Sequence, residues 1–216
     1  MPSTSRFHCL FAAALSLSFG ILSTATRPLM ADGPVKPLRA LLVIGGCCHD
    51  YLMQKDILAK GISERAHVDV VIAYDPDPTT HHLNPIYKSA DWASGFDVVI
   101  HDECSSDVKD LPDIDRILAP HRHGLPAVVL HCGEHCYRSH EFPNVTPWFE
   151  FTGVQSTRHD QQQPIEVSFI VSDSPITKGM ANWTTIKEEL YNNSAGHLLD
   201  TATPLARGQQ TVKHKG

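Results

Sequence analysis

Apolar residues in this chain fall into short, nearly continuous runs separated by polar stretches. Residues 38–46 form one such run and end in Gly45-Gly46, which reads as a buried parallel strand reaching a tight turn. Residues 50–66 carry Leu52, Met53, Ile57, Leu58 and Ile62 at helical spacing. Residues 68–74 read as a second strand, closed by Asp75-Pro76-Asp77-Pro78, and 75–91 as a polar loop containing His81-His82. Residues 96–101 read as a third buried strand with His101, Asp102 and Glu103 at its C-terminal end. Residues 114–123 read as a helix that Pro120 should stop or distort. A fourth strand, 125–131, runs into His131-Cys132-Gly133-Glu134-His135. Beyond residue 140 the pattern changes: 164–171 alternates as a strand, 186–191 reads as a short helix or turn, and 197–205 as another extended piece.

Strand and helix in alternation predict an α/β domain with a mostly parallel sheet covered on both faces. In such sheets ligands sit in the crevice at the carboxyl ends of the strands. The polar clusters around His49, His101 and His131 all fall at such ends, so the three are expected at one edge of the sheet. Loops are polar everywhere, which accounts for Asp and Ser there but less well for repeated histidine. No internal repeat, low-complexity segment or second-domain linker is visible.

The first thirty residues follow another logic. Arg6 precedes an apolar run from residue 10 to 22, and Ser23-Thr24-Ala25 offers a small-residue cleavage site, with Ala31 as a second. Residues 1–31 are therefore expected to be a signal peptide, and the protein to be periplasmic or secreted. Loss of Arg6 takes the formal net charge from −6 to −7. A mildly acidic chain without Lys/Arg runs has no footprint for nucleic acid or for an anionic membrane surface. Of six cysteines, Cys9 leaves with the leader. Cys47, Cys48, Cys104, Cys132 and Cys136 remain, an odd number that leaves at least one thiol free or ligating. A disulfide among them is possible, with simple buried thiols the reading for most.

Residues 131–191 carry a resemblance. The string HCGEHCYRSHEFPNVTPWFEFTG, then STRHD, SPITKGM and EELYNN, resembles the ThuA-like (trehalose-utilisation) family, over roughly residues 38–208. The matching pieces are Leu130-His131, the stretch from Gly153 to His159, the stretch from Ser174 to Gly179, and Glu189-Leu190-Tyr191. The resemblance implies a flavodoxin-like three-layer sandwich related to class I glutamine amidotransferases. It places His131 where the amidotransferase cysteine stands, on a strained strand-to-helix turn, with Cys132 one place off. A Cys-His-Glu triad for glutamine hydrolysis is therefore not expected. Two departures stand out. Ser174 replaces a histidine found in many members, and the chain ends at Gly216 before the family's further strand and closing helix, so 38–216 reads as a domain lacking its C-terminal part.

Within that frame His131, His159, Glu189 and Tyr191 are the candidate catalytic residues. His49, His131 and His159 are the candidate ligands of Zn or another divalent transition metal, and Glu189 could add a carboxylate, since a catalytic metal takes about three protein ligands with one position open. Asp50 can ligate or can cap the following helix. A carboxylate and a phenol two apart, as in Glu189 and Tyr191, can act as acid/base and orienting donor toward a sugar hydroxyl, or Tyr191 can simply seal the core. Glu134, with His135 and Arg138, reads as a solvated first helical turn or a polar-ligand contact. His140, Trp148 and Phe149 read as an aromatic wall or as packing. His81, His82, His121 and His123 carry no motif and read as surface residues. No dinucleotide or phosphate fingerprint is present, because Gly45-Gly46-Cys47-Cys48 is not G-x-G-x-x-G. Two functions fit: a hydrolase or isomerase acting on a small-molecule carbohydrate or keto-sugar, and a non-catalytic sugar- or metal-binding module.

Overall fold

In the computed structural model, residues 35–138 and 144–212 are described. The expected leader and His140 lie outside them. Four strands, β1 (Leu38–Gly46), β2 (Val68–Asp75), β3 (Val98–Cys104) and β4 (Ala127–Val129), form an all-parallel sheet in the order β2-β1-β3-β4. From Ala40 to Gly45, β1 is paired on both sides, Leu42 facing Ile72 and Ile100. Alternation along β1 divides the core in two. Leu41 and Val43 join Val99 in one apolar cluster, while Ala40, Leu42 and Ile44 join Ile100 in the other.

Helix α1 (Tyr51–Ser63) covers the second cluster through Tyr51, Leu58 and Ile62. Helix α2 (Leu111–Arg122) and α3 (Pro147–Thr152) cover the first, through Ile114, Ile117, Leu118, Trp148 and Phe149. The result is a flavodoxin-like three-layer sandwich, with the covered parallel sheet that the strand rhythm predicts and the fold that the family resemblance implies. Its strand order reverses between β1 and β3, which is where such sheets open a ligand crevice.

Three details differ from the pattern reading. Strand β3 starts later and runs further than 96–101, because its polar residues do not end it. His101, Asp102 and Glu103 are at most 1% exposed. Glu103 Oε1 accepts from Tyr87 at 2.5 Å and lies 3.0 Å from His101 Nδ1, and His101 Nε2 meets His121 Nε2 at 3.1 Å. His101 is thus a core histidine and does not reach the crevice. His121 and His82 are buried too, not on the surface; His82 sits 3.1 Å from Ser105 Oγ and 3.5 Å from Asp75. On α1, Leu52, Met53 and Ile57 point to solvent at 58%, 59% and 66% exposure, so only part of the apolar spacing is used.

The second half forms small antiparallel sheets. Strand β5 (Ser156–His159) pairs with β8 (Tyr191–Asn193), and β6 (Gln163–Phe169) lies between β7 (Trp183–Glu188) and β9 (Ala206–Gln209). Residues 186–191 are therefore strand and connection, not helix. Residues 197–205 turn instead of extending; Leu199 N donates to Gly153 O and Ala202 N to Leu199 O. Strand β7 shows no inward apolar alternation, so only its pairing with β6 identifies it. Among the described residues no helix is long and apolar enough to cross a membrane.

Candidate functional site

The crevice begins with a glycine. Gly46 has φ +99°, and a Cβ there would stand 2.4 Å from Cys104 O, so β1 leaves the sheet in close contact with the end of β3. That crossing delivers Cys47, Cys48 and His49 above the strand ends. Asp50 caps α1, accepting from Met53 N at 3.1 Å, which uses it locally. His49 is half-buried, and its ring lies 4.7 Å from that of His131.

His131 follows β4 on a turn where its own φ is +47°, unusual for a residue with a side chain. A 3-10 helix, His131–His135, starts there, closed by Gly133 N donating to Leu130 O at 2.8 Å. The strained strand-to-helix turn expected at His131 is present. The cysteine beside it is not a free thiol: Cys132 is paired with Cys104, and Cys47 with Cys48, leaving Cys136 buried and unpaired. Four of the five are thus in disulfides and not simple thiols: Cys47 and Cys48 are neighbours in the chain, and the ends of β3 and β4 bring Cys104 and Cys132 together.

The opposite wall comes from β5 and β8. Their register sets His159 directly across from Tyr191, after a register shift between Ser156 and Arg158. Tyr191 stacks on His135, with ring centroids 4.0 Å apart, and His135 Nε2 lies 2.9 Å from Ser156 Oγ. Burial, then the Arg138 charge, holds His135 at a pKa of about 4, so this platform stays neutral. The sequence leaves His135 either in a solvated turn or in contact with a polar ligand. Its place under Tyr191 could have been suspected only from its four-residue spacing to His131.

Tyr191 Oη lies 2.9 Å from His131 Nδ1 and donates to Glu189 Oε2 at 3.3 Å. With the phenol hydrogen directed to the carboxylate, its oxygen accepts from Nδ1–H. In the neutral imidazole that pairing puts the hydrogen on Nδ1 and leaves the Nε2 lone pair free to ligate. Burial, and next the Glu189 charge, raise the Tyr191 pKa, keeping it a neutral phenol. His131 Nε2 lies 3.9 Å from Glu188 Oε2 and 4.0 Å from Glu189 Oε2. On Glu189 burial opposes ionisation, yet the Gln162 hydrogen bond and the His159 and His131 charges win, and its pKa is lowered. Burial and the neighbouring His131 lower the His49 pKa, so its imidazole is available as a neutral ligand.

His49, His131 and Glu189 bring one ligand atom each within 4.8 Å of one another. A tetrahedral zinc with bonds of about 2.0–2.1 Å holds its ligands roughly 3.4 Å apart, so modest side-chain movement closes the set. His159 does not join this set, whereas Glu189, the carboxylate that could be added to the histidines, does. His159 Nδ1 donates to Asp160 O at 2.8 Å, and its Nε2 faces Glu189 Oε2 at 3.6 Å. Trp148 and Phe149 are fully buried and form core, not a wall. Glu134 is only partly exposed, not a freely solvated side chain. Burial raises its pKa to about 7, and Oε2 has no hydrogen-bond partner.

No family model and no curated protein matches the sequence. A solved structure described as a ThuA-like protein from Parabacteroides merdae is similar in fold, with a TM-score of 0.52 at 18% identity. The match covers 73% of this chain and 63% of that one, so the chain spans less than two thirds of that protein's length. With its parallel sheet and histidine-bearing strand ends, the chain has the fold of a ThuA-like protein.

Proposed function

We propose that this chain is an exported ThuA-like enzyme that acts on a carbohydrate or keto-sugar, as a hydrolase or isomerase, with His49, His131 and Glu189 holding a divalent transition metal. The observation that carries this reading is the convergence of these three ligand atoms within 4.8 Å. The His131–Tyr191–Glu189 chain supports it, since metal-bound imidazoles generally donate their other N–H to a fixed partner. When bound, such an ion polarises a carbonyl or hydroxyl oxygen. Tyr191 then orients a substrate hydroxyl, and His159, outside the ligand set, accepts or returns a proton at Nε2. A half-exposed crevice of imidazoles, a phenol and carboxylates suits a neutral polyhydroxylated ligand.

The test is elemental analysis of the purified protein, then a screen of trehalose-type disaccharides and their oxidised forms. About one equivalent of transition metal is expected, lost in His131→Ala and kept in His159→Ala, with turnover lost in both. Metal-free protein that takes up none on loading would overturn the metal reading. Binding of a sugar without turnover would favour a binding module.

A further inference from the structure

Four sulfur atoms meet where β1, β3 and the turn after β4 end. Cys47 is paired with Cys48 and Cys104 with Cys132, and the two pairs touch, with Cys47 Sγ 3.3 Å from Cys104 Sγ. Cys48 is exposed, whereas Cys47, Cys104 and Cys132 are at most 8% exposed. The fifth cysteine is set apart. Cys136 accepts from Ser105 N at 3.1 Å and donates to Glu103 O at 3.2 Å, and burial pushes its thiol pKa up. One exposed sulfur therefore leads, through a bond, a contact and a second bond, to a buried sulfur one residue from His131.

We propose that these four cysteines form a thiol–disulfide exchange relay, entered by an external thiol at Cys48 and ending at Cys132. Exchange proceeds by attack of a thiolate on a disulfide sulfur, with the other sulfur leaving as thiolate. An external thiolate attacks Cys48 Sγ, forming a mixed disulfide and releasing Cys47 as thiolate. Cys47, already in contact with Cys104 Sγ, attacks it; the Cys47–Cys104 bond forms and Cys132 leaves and takes a proton. A second external thiolate resolves the mixed disulfide and frees Cys48 as a thiol. In sum, two external thiols become one disulfide, and two protein disulfides become one disulfide and two thiols. The small-molecule or protein thiol is the only co-reactant. The relay requires no metal, so it stands apart from the proposal for His49, His131 and Glu189. Its second step, which breaks the Cys104–Cys132 bond, unties the turn that carries His131 from β3.

The experiment is partial reduction of the full-length oxidised protein with limiting glutathione, alkylation, tryptic digestion and mass mapping. Cys104 lies in tryptic peptide 89–109, Cys47 and Cys48 in 40–55, and Cys132 in 123–138. Peptide 89–109 should shift from its link with 123–138 to a link with 40–55, while Cys48 and Cys132 become alkylated. The Cys48→Ser variant, which leaves Cys47 as a thiol, should show the 40–55 to 89–109 link without added thiol. Cys47→Ser should keep Cys104 linked to Cys132. If partial reduction of the wild type yields only unlinked peptides, with no 40–55 to 89–109 species at any degree of reduction, the relay is refuted. That readout needs no variant to fold.

Discussion

At the scale of single residues, His131 combines strain with chemistry. A side chain at positive φ costs about 1–2 kcal/mol relative to glycine. His131→Gly should therefore be more stable than His131→Ala by about 1 kcal/mol in denaturant titration, although both lose metal. Equal stability of the two would mean that the turn is not strained in solution. Tyr191 offers a complementary test. Tyr191→Phe keeps the stack on His135 but removes the hydroxyl between His131 and Glu189. Loss of such an orienting partner should lower metal affinity by about 10- to 100-fold in a competition titration, with little change in stability. His131 was legible in the sequence because it ends an apolar run. The choice between Glu189 and His159 beside His49 and His131 was not, because it depends on where two side chains end in space.

At the scale of elements, α2 shows why a helix breaker need not break a helix. Pro120 has no N–H to offer the carbonyl four residues back, yet α2 continues to Arg122. That carbonyl, Arg116 O, instead accepts from Trp92 Nε1 at 3.1 Å. Trp92→Phe should thus cost about 1–3 kcal/mol, leaving the carbonyl unpaired as well as losing packing. In a Pro120→Ala background the cost should shrink, because an alanine N–H can take the carbonyl, and a double-mutant cycle by urea titration measures the coupling. Additive effects would show that the indole and the alanine N–H do not share this carbonyl. The strands of the parallel sheet were readable as apolar runs, but the end of β3 was not. His101, Asp102 and Glu103 look like a loop until Tyr87 and His121 supply buried partners for His101 and Glu103.

At the scale of the whole molecule, burial has placed titrating groups of opposite sense in one pH window. Glu134 and Asp102 are each raised by burial to about 7, Asp102 also by Glu103, so the folded state holds protons that the unfolded chain releases above about pH 4. Stability from these carboxyls falls as pH rises from about 4 to 7. His121 and His135 are each lowered to about 4, chiefly by burial, so the unfolded state binds protons first. Their share is lost as pH falls from about 6.5 to 4, and the two slopes oppose each other. Glu134→Gln should remove one falling contribution. The variant should gain up to about 3 kcal/mol over the wild type at pH 7.5 and nothing at pH 4, as read by denaturant unfolding across that range. A constant difference at all pH values would mean that Glu134 keeps an ordinary carboxylate pKa in the fold.

What the sequence by itself determined is the layered α/β frame. A strand buried on both faces must be apolar throughout, and a helix over it must be apolar on one side, so β1, α1 and α2 are written locally, while β2 shows as an apolar run although, at the sheet edge, Val71 and Ile72 stay exposed. It also pointed to His49, His131, His159, Glu189 and Tyr191, through strand ends and a family resemblance. The tertiary structure alone decided which of these meet. The β5–β8 register sets His159 opposite Tyr191, the Gly46 crossing carries His49 toward His131, and His135 is buried beneath them as a platform. The same convergence brings two disulfides into contact and sinks His82, His101 and His121 into the core. These are long-range juxtapositions, set by pairing and packing between segments far apart in the chain, and no local periodicity encodes them.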